Sequence, residues 1–123
     1  MPPTFGNGKI CYIVIPALDI DRSADFYAKA FGWSVRKRGD GSTSFDDGVG
    51  EVSGTWVLGR KAHTNDGLLV HIMVDDAEAA VAKVVALGGL VLQPIDPNAK
   101  EIVAHFTDPA GNVMGIYQHG GRK

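Results

Sequence analysis

Few side chains in this sequence are equipped for chemistry. Among 123 residues there are four histidines, His63, His71, His105 and His119, and one cysteine, Cys11. His71 stands inside the apolar run LLVHIMV and His105 inside EIVAHFT. An imidazole in such a run orients a ligand, acts as an acid or base near neutral pH, or is held by hydrogen bonds in a partly buried site. His63 and His119 read as exposed loop and tail residues. Glu51 and Glu101 are carboxylates that a metal site could recruit, but no spacing groups them with His71 and His105. Tyr12, Trp56 and Tyr117 offer aromatic surface, and Trp56 divides evenly between core packing and stacking on a ligand. The sequence has no GxxxxGK[ST] phosphate loop, no GxGxxG after a strand, no GxSxG elbow and no CxxC pair. Cys11, on the alternation of its strand, is expected to face a helix as a small hydrophobe.

These side chains must be positioned by regular elements, and the chain writes one pattern twice. KICYIVIPA is a β-branched run that stops at Pro16. Asp19 is then placed to cap a helix whose apolar face is Ile20, Ala24, Tyr27, Ala28 and Phe31, and Gly32 ends it. In the second half LLVHIMV is a strand, Asp76 a cap, Ala77, Ala80, Val81 and Val84 a stripe, and Gly88 and Gly89 the stop. A shift of 57 residues lays Tyr12 on Leu69, Ile15 on Ile72, Asp19 on Asp76 and Gly32 on Gly89. Short β segments follow each helix: WSVRKR, TSF and EVSGTWVLG in the first half, LVLQP, EIVAHFT and, after the DPAGN turn, VMGIYQ in the second. Each half therefore reads βαβββ. The expectation is one α+β domain over residues 1–123, built of two repeats, about 8–61 and 66–119, whose curved sheets each carry a helix on one face.

Composition narrows the partners. With 45% hydrophobic and 21% charged residues the chain has the make-up of an ordinary globular domain. A net charge of -2 gives no basic footprint for nucleic acid or anionic lipid. Neither a signal-peptide core nor a membrane-length apolar run is present, so a cytoplasmic protein whose partners are small molecules or other proteins is expected.

Three stretches, IPALDIDRSADFYAKAFGW, HIMVDDAEAAVAKVVALGG and FTDPAGNVMGIYQ, taken in order, resemble the vicinal oxygen chelate superfamily of glyoxalases, bleomycin-resistance proteins and extradiol dioxygenases. The resemblance covers nearly the whole chain. It implies paired, curved mixed sheets enclosing a cup-shaped cavity, homodimer formation, and a divalent metal such as nickel, zinc, manganese or iron held by side chains from both halves. It also fixes where those ligands would stand. The first-strand ligand, commonly histidine, falls at Tyr12; its second-half counterpart falls at Leu69; the last-strand glutamate falls at Gly115; and the fourth lies within residues 51–59, where Glu51 alone is of ligand type.

Tyrosine is a poor neutral ligand, and leucine and glycine offer no side-chain donor. No metal is therefore expected at Tyr12, Leu69 and Gly115, and no other cofactor. On strand alternation His71, Met73 and Val14 share the face of Tyr12 and Leu69, and Tyr117 shares that of Gly115. The expected function is a glyoxalase- or bleomycin-resistance-like protein that binds a small apolar or aromatic molecule against Tyr12, Trp56, Leu69, His71, Met73, Gly115 and Tyr117. The alternative is a lyase or isomerase of the glyoxalase-related class using His71 as acid or base, with or without a metal at a non-standard site. Lactoylglutathione lyase activity itself is not expected, because that reaction, as the resemblance implies, uses the metal to polarise a carbonyl.

Overall fold

The computed structural model describes residues 3–64 and 67–120, so the start of the second repeat at residue 66 lies outside the described residues. The chain divides into two compact units, Met1–Lys61 and Ala62–Lys123. The first holds β1 (Tyr12–Pro16), α1 (Ile20–Phe31), β2 (Ser34–Lys37), β3 (Thr43–Asp46) and β4 (Ser53–Val57). The second holds β5 (His71–Val74), α2 (Ala77–Ala86), β6 (Leu90–Gln93), β7 (Val103–Thr107) and β8 (Val113–Gln118). The two sheets share one topology. Their orders are β1-β4-β3-β2 and β5-β8-β7-β6, and in each the first strand lies parallel to the last while the other pairs are antiparallel.

Helix α1 starts where its cap can satisfy an orphan N–H: the Asp19 carboxylate accepts from the Arg22 N–H at 3.1 Å. It stops at Gly32, whose φ of 73° is the left-handed conformation that only glycine adopts cheaply. Between α1 and its sheet runs a chain of rings. Tyr27 stacks on Trp33 at 4.6 Å between centroids, Trp33 on Phe45 at 4.5 Å, and Phe45 meets Trp56 at 4.8 Å. Each such pair is worth about 0.5–1.5 kcal/mol beyond the area it buries.

In the second unit the core is mostly aliphatic, with Val84, Ala80 and Ala77 of α2 packed over Ile116, Ala104 and Phe106, all buried. Two side chains cap α2. Asp76 accepts from the Ala79 N–H at 3.1 Å, and Gln118, at the end of β8, accepts from the Ala77 N–H at 2.9 Å. The β8 strand is thus tied to the helix start as well as to its neighbours.

The β7–β8 connection is the DPAGN turn. Buried Asp108 accepts from the N–H groups of Ala110 and Asn112, both at 2.9 Å, and from the Asn112 amide at 2.8 Å. Asn112 in turn accepts from the His63 N–H at 2.8 Å, while the Val113 N–H donates to the His63 carbonyl at 2.7 Å. His63 is half-buried and tied through its backbone, where the sequence suggested an exposed loop residue.

Two further expectations change. Cys11 lies just before β1 and is exposed, so it is not packed against the helix. The strands expected over KICYIVIPA and LLVHIMV contract to Tyr12–Pro16 and His71–Val74, which leaves Leu69 just outside β5.

Asn112→Ala removes the amide's bonds to Asp108 and from the His63 N–H in a buried turn, and takes one donor from Asp108. It should cost about 1–3 kcal/mol in urea unfolding. His63→Ala, which keeps the backbone bonds, should cost far less, and equal losses would show that the Asn112 network is not what holds the turn.

Candidate functional site

Each sheet has a face covered by its own helix and a face turned away from it, and strand registers sort the candidate residues between the two. In the second unit one row crosses all four strands. His71 on β5 is opposite Gly115 on β8, Gly115 is opposite His105 on β7, and His105 is opposite Gln93 on β6. The next row is Met73, Tyr117 and Val103. All lie on the face away from α2, since the residues between them in β8, Met114 and Ile116, are buried on the helix side.

The centre of this surface is Gly115. A Cβ added there would come within 2.5 Å of His71 Cδ2 and 2.7 Å of its Nε2. The imidazole of His71 thus lies flat over the bare backbone of β8, in the space a side chain at 115 would need. It leans toward His105, and the two ring centroids are 5.7 Å apart with planes at 71°. His105 is held below the ordinary imidazole pKa first by its burial and then by the neighbouring His71. Met73 is 65% exposed and Tyr117 half-buried, so an apolar chain and a ring flank the imidazole pair.

In the first unit Tyr12 is 47% exposed and lies opposite Ser53, which lies opposite Asp46. Arg36 grips Asp46 through two bonds of 3.0 Å each, and the Ser53 hydroxyl donates to the same carboxylate at 2.7 Å. These bonds, Arg36 foremost, hold the Asp46 carboxyl below its usual range. A neighbouring hollow of about 470 Å³ at the start of α1, lined by Leu18, Asp21, Lys37 and Leu58 among others, contains none of the candidate residues.

Trp56 requires a correction. It is 2% exposed and lies on the face under α1, in ring contact with Phe45 and Tyr27. Val14, not Trp56, shares the outward face of β4's neighbour: Val14 is opposite Thr55, and alternation turns residue 56 the other way. Its stacking role is therefore withdrawn. Leu69 is half-buried in the segment before β5. His71, Met73, Gly115 and Tyr117 are brought together, and His105, whose facing the sequence left open, joins them.

The donor set that the family resemblance implies does not fit a metal here. Leu69 and Gly115 have no side-chain donor, and a carboxylate at 115 would collide with the His71 ring. Glu51 is engaged elsewhere: it pairs with Lys9 Nζ at 2.9 Å and accepts from the Thr4 N–H and hydroxyl at 3.0 Å. Among the described residues no three His, Cys, Asp or Glu side chains converge. No helix among them is long and apolar enough to cross a membrane.

Comparison with known proteins places this geometry. The profile of the glyoxalase-like domain matches residues 12–117. Among curated proteins, a glyoxylase-like domain-containing protein of Didymella fabae is 26% identical, over 94% of this chain and 98% of that one. The anthracycline biosynthesis protein DnrV of Streptomyces peucetius is 28% identical over 94% of this chain, which spans only 49% of DnrV's length. Among solved structures, a glyoxalase/bleomycin resistance protein/dioxygenase superfamily member from Sphaerobacter thermophilus has a TM-score of 0.73 at 17% identity, covering 91% of this chain and 98% of its own. TnmS3, an antibiotic binding protein from a Streptomyces species, has a TM-score of 0.69 at 19% identity, covering 94% and 98%. At such identities the structural likeness speaks for the fold.

The depressed His105 pKa has a sign that can be checked. The unfolded chain takes up a proton near pH 6.5 while folded His105 still resists it, so this group costs stability as pH falls through 6.5 toward its folded pKa. Histidine-resolved NMR titration should place His105 below 6.5, and His71→Asn should move it back upward. An unshifted His105 in the unsubstituted protein would contradict the assigned burial.

Proposed function

The chain belongs to the glyoxalase-like domain family, and from that premise we propose that it binds a small apolar or aromatic molecule on the face formed by His71, Met73, Gly115 and Tyr117, without the metal the superfamily commonly uses. The observation that carries this reading is the His71 ring lying over Gly115. It puts a flat, partly apolar plate in the place of a metal-binding carboxylate, beside an exposed thioether and a phenol ring. Such a surface suits a planar partner: dispersion and stacking act over the imidazole and phenol faces, and the ring nitrogens and the Tyr117 hydroxyl supply a few directed hydrogen bonds. Tyr12, half-exposed, is proposed as a ligand contact on the first unit's own sheet. Two relatives support the ligand class by name, DnrV through anthracycline biosynthesis and TnmS3 as an antibiotic binding protein. Pairing of two chains and a cytoplasmic location, expected from the resemblance and the composition, belong to this proposal as well.

The mechanism of binding asks little of the protein beyond shape. Gly115 keeps the floor low, Met73 adapts to irregular outlines through its unbranched chain, and His71 and His105 offer one acceptor and one donor each while neutral. The rival reading, an acid or base role for His71, rests on the same ring and is separated by turnover.

A titration with an anthracycline or 1,4-naphthoquinone, followed by methyl NMR of Met73 and ring signals of Tyr117 and His71, is the test. Those signals should move together, with the same affinity in the presence and absence of EDTA. Met73→Ala should weaken binding by about 1–3 kcal/mol. Binding that requires an added metal, or shifts confined to other residues, would overturn the reading; consumption of the probe that His71→Ala abolishes would favour the enzyme.

A further inference from the structure

The histidine pair also has a use that aromatic binding does not require. We propose that His71 and His105 form a two-imidazole clamp for a first-row divalent cation, copper(II) in preference, at a position built from one sheet and distinct from the superfamily's ligand set. The site is made by the register. β5 and β7 are not neighbours, and their side chains meet only because β8 lies between them with a glycine at the crossing point. Any larger residue at 115 would stand where the His71 ring now lies and would separate the two imidazoles.

The spacing suits one ion. With metal–nitrogen bonds of about 2.0–2.1 Å, two imidazoles on a single ion have ring centres no more than roughly 6.4 Å apart. The observed separation is 5.7 Å. Among the described residues neither ring has a hydrogen-bond partner. Imidazole nitrogen is a borderline donor that favours copper, nickel and zinc, and at a given site copper(II) binds tightest of the three. With no third His, Cys, Asp or Glu side chain converging among the described residues, water would fill the remaining positions. The absence of a carboxylate behind either ring sets a modest affinity.

The clamp shares the His71 ring with the aromatic-binding reading, but its test is separate and needs no organic ligand. Copper(II) is titrated into EDTA-stripped, desalted protein, with electron paramagnetic resonance and calorimetry as readouts and no organic ligand present. One copper per chain with coupling to two nitrogens is expected. His71→Asn and His105→Asn should each weaken binding and reduce the coupling to a single nitrogen. Gly115→Ala, which retains both histidines but displaces the His71 ring, should weaken it too. The His63→Asn/His119→Asn double variant should bind as before. Binding unchanged in either single variant, coupling to one nitrogen only, or loss in the double variant would overturn the clamp.

Discussion

A four-stranded sheet carrying one helix has two unlike faces, and the period of two along a strand decides which residues meet which. Everything else in each unit depends on that sorting. In the first unit it sends Phe45 and Trp56 under α1, where with Tyr27 and Trp33 they form a continuous chain of ring contacts. In the second it sends Ile116, Met114 and Phe106 under α2 and leaves His71, Gly115, His105 and Tyr117 on the other side. A shift of one residue in β8 would bury Tyr117 and expose Ile116, so the core and the candidate surface are fixed by a single register.

That register is held at both ends of β8. The Asp108–Asn112 turn fixes where the strand starts, and Gln118, capping α2 through the Ala77 N–H, fixes where it ends. Between these anchors the strand can carry a glycine, a residue that weakens a sheet, because its neighbours on both sides supply the pairing. What the glycine gives in exchange is space, and the His71 ring takes it.

Much of the architecture could be read from residue types. Asp19, Gly32 and Asp76 mark helix ends by chemistry that acts locally, and the βαβββ pattern is spelled by such signals. Which residues stand at the positions the resemblance assigns to ligands, Tyr12, Leu69 and Gly115, is read directly from the letters. The facing of Trp56 is not written locally: it follows from pairing with β1 and β3, which are 41 and 11 residues away along the chain at their paired positions Ile15↔Trp56 and Ser44↔Thr55. The facing of His105 is hidden by the polar loop before EIVAHFT, which leaves the strand's register open, and the structure adds a bulge between Val91 and Gln93 in the partner strand. The contact between His71 and His105 was further out of reach, because it is made across a strand that separates them.

Both proposed sites depend on the position of one ring. In the unliganded, metal-free protein, nuclear Overhauser effects from the Gly115 Hα protons to the His71 Hδ2 proton test it most directly. A strong effect, with a weaker one from His71 to the His105 ring, is the predicted result. A His71 ring that gives no effect to Gly115 would leave the glycine unexplained and contradict the arrangement on which both proposals rest.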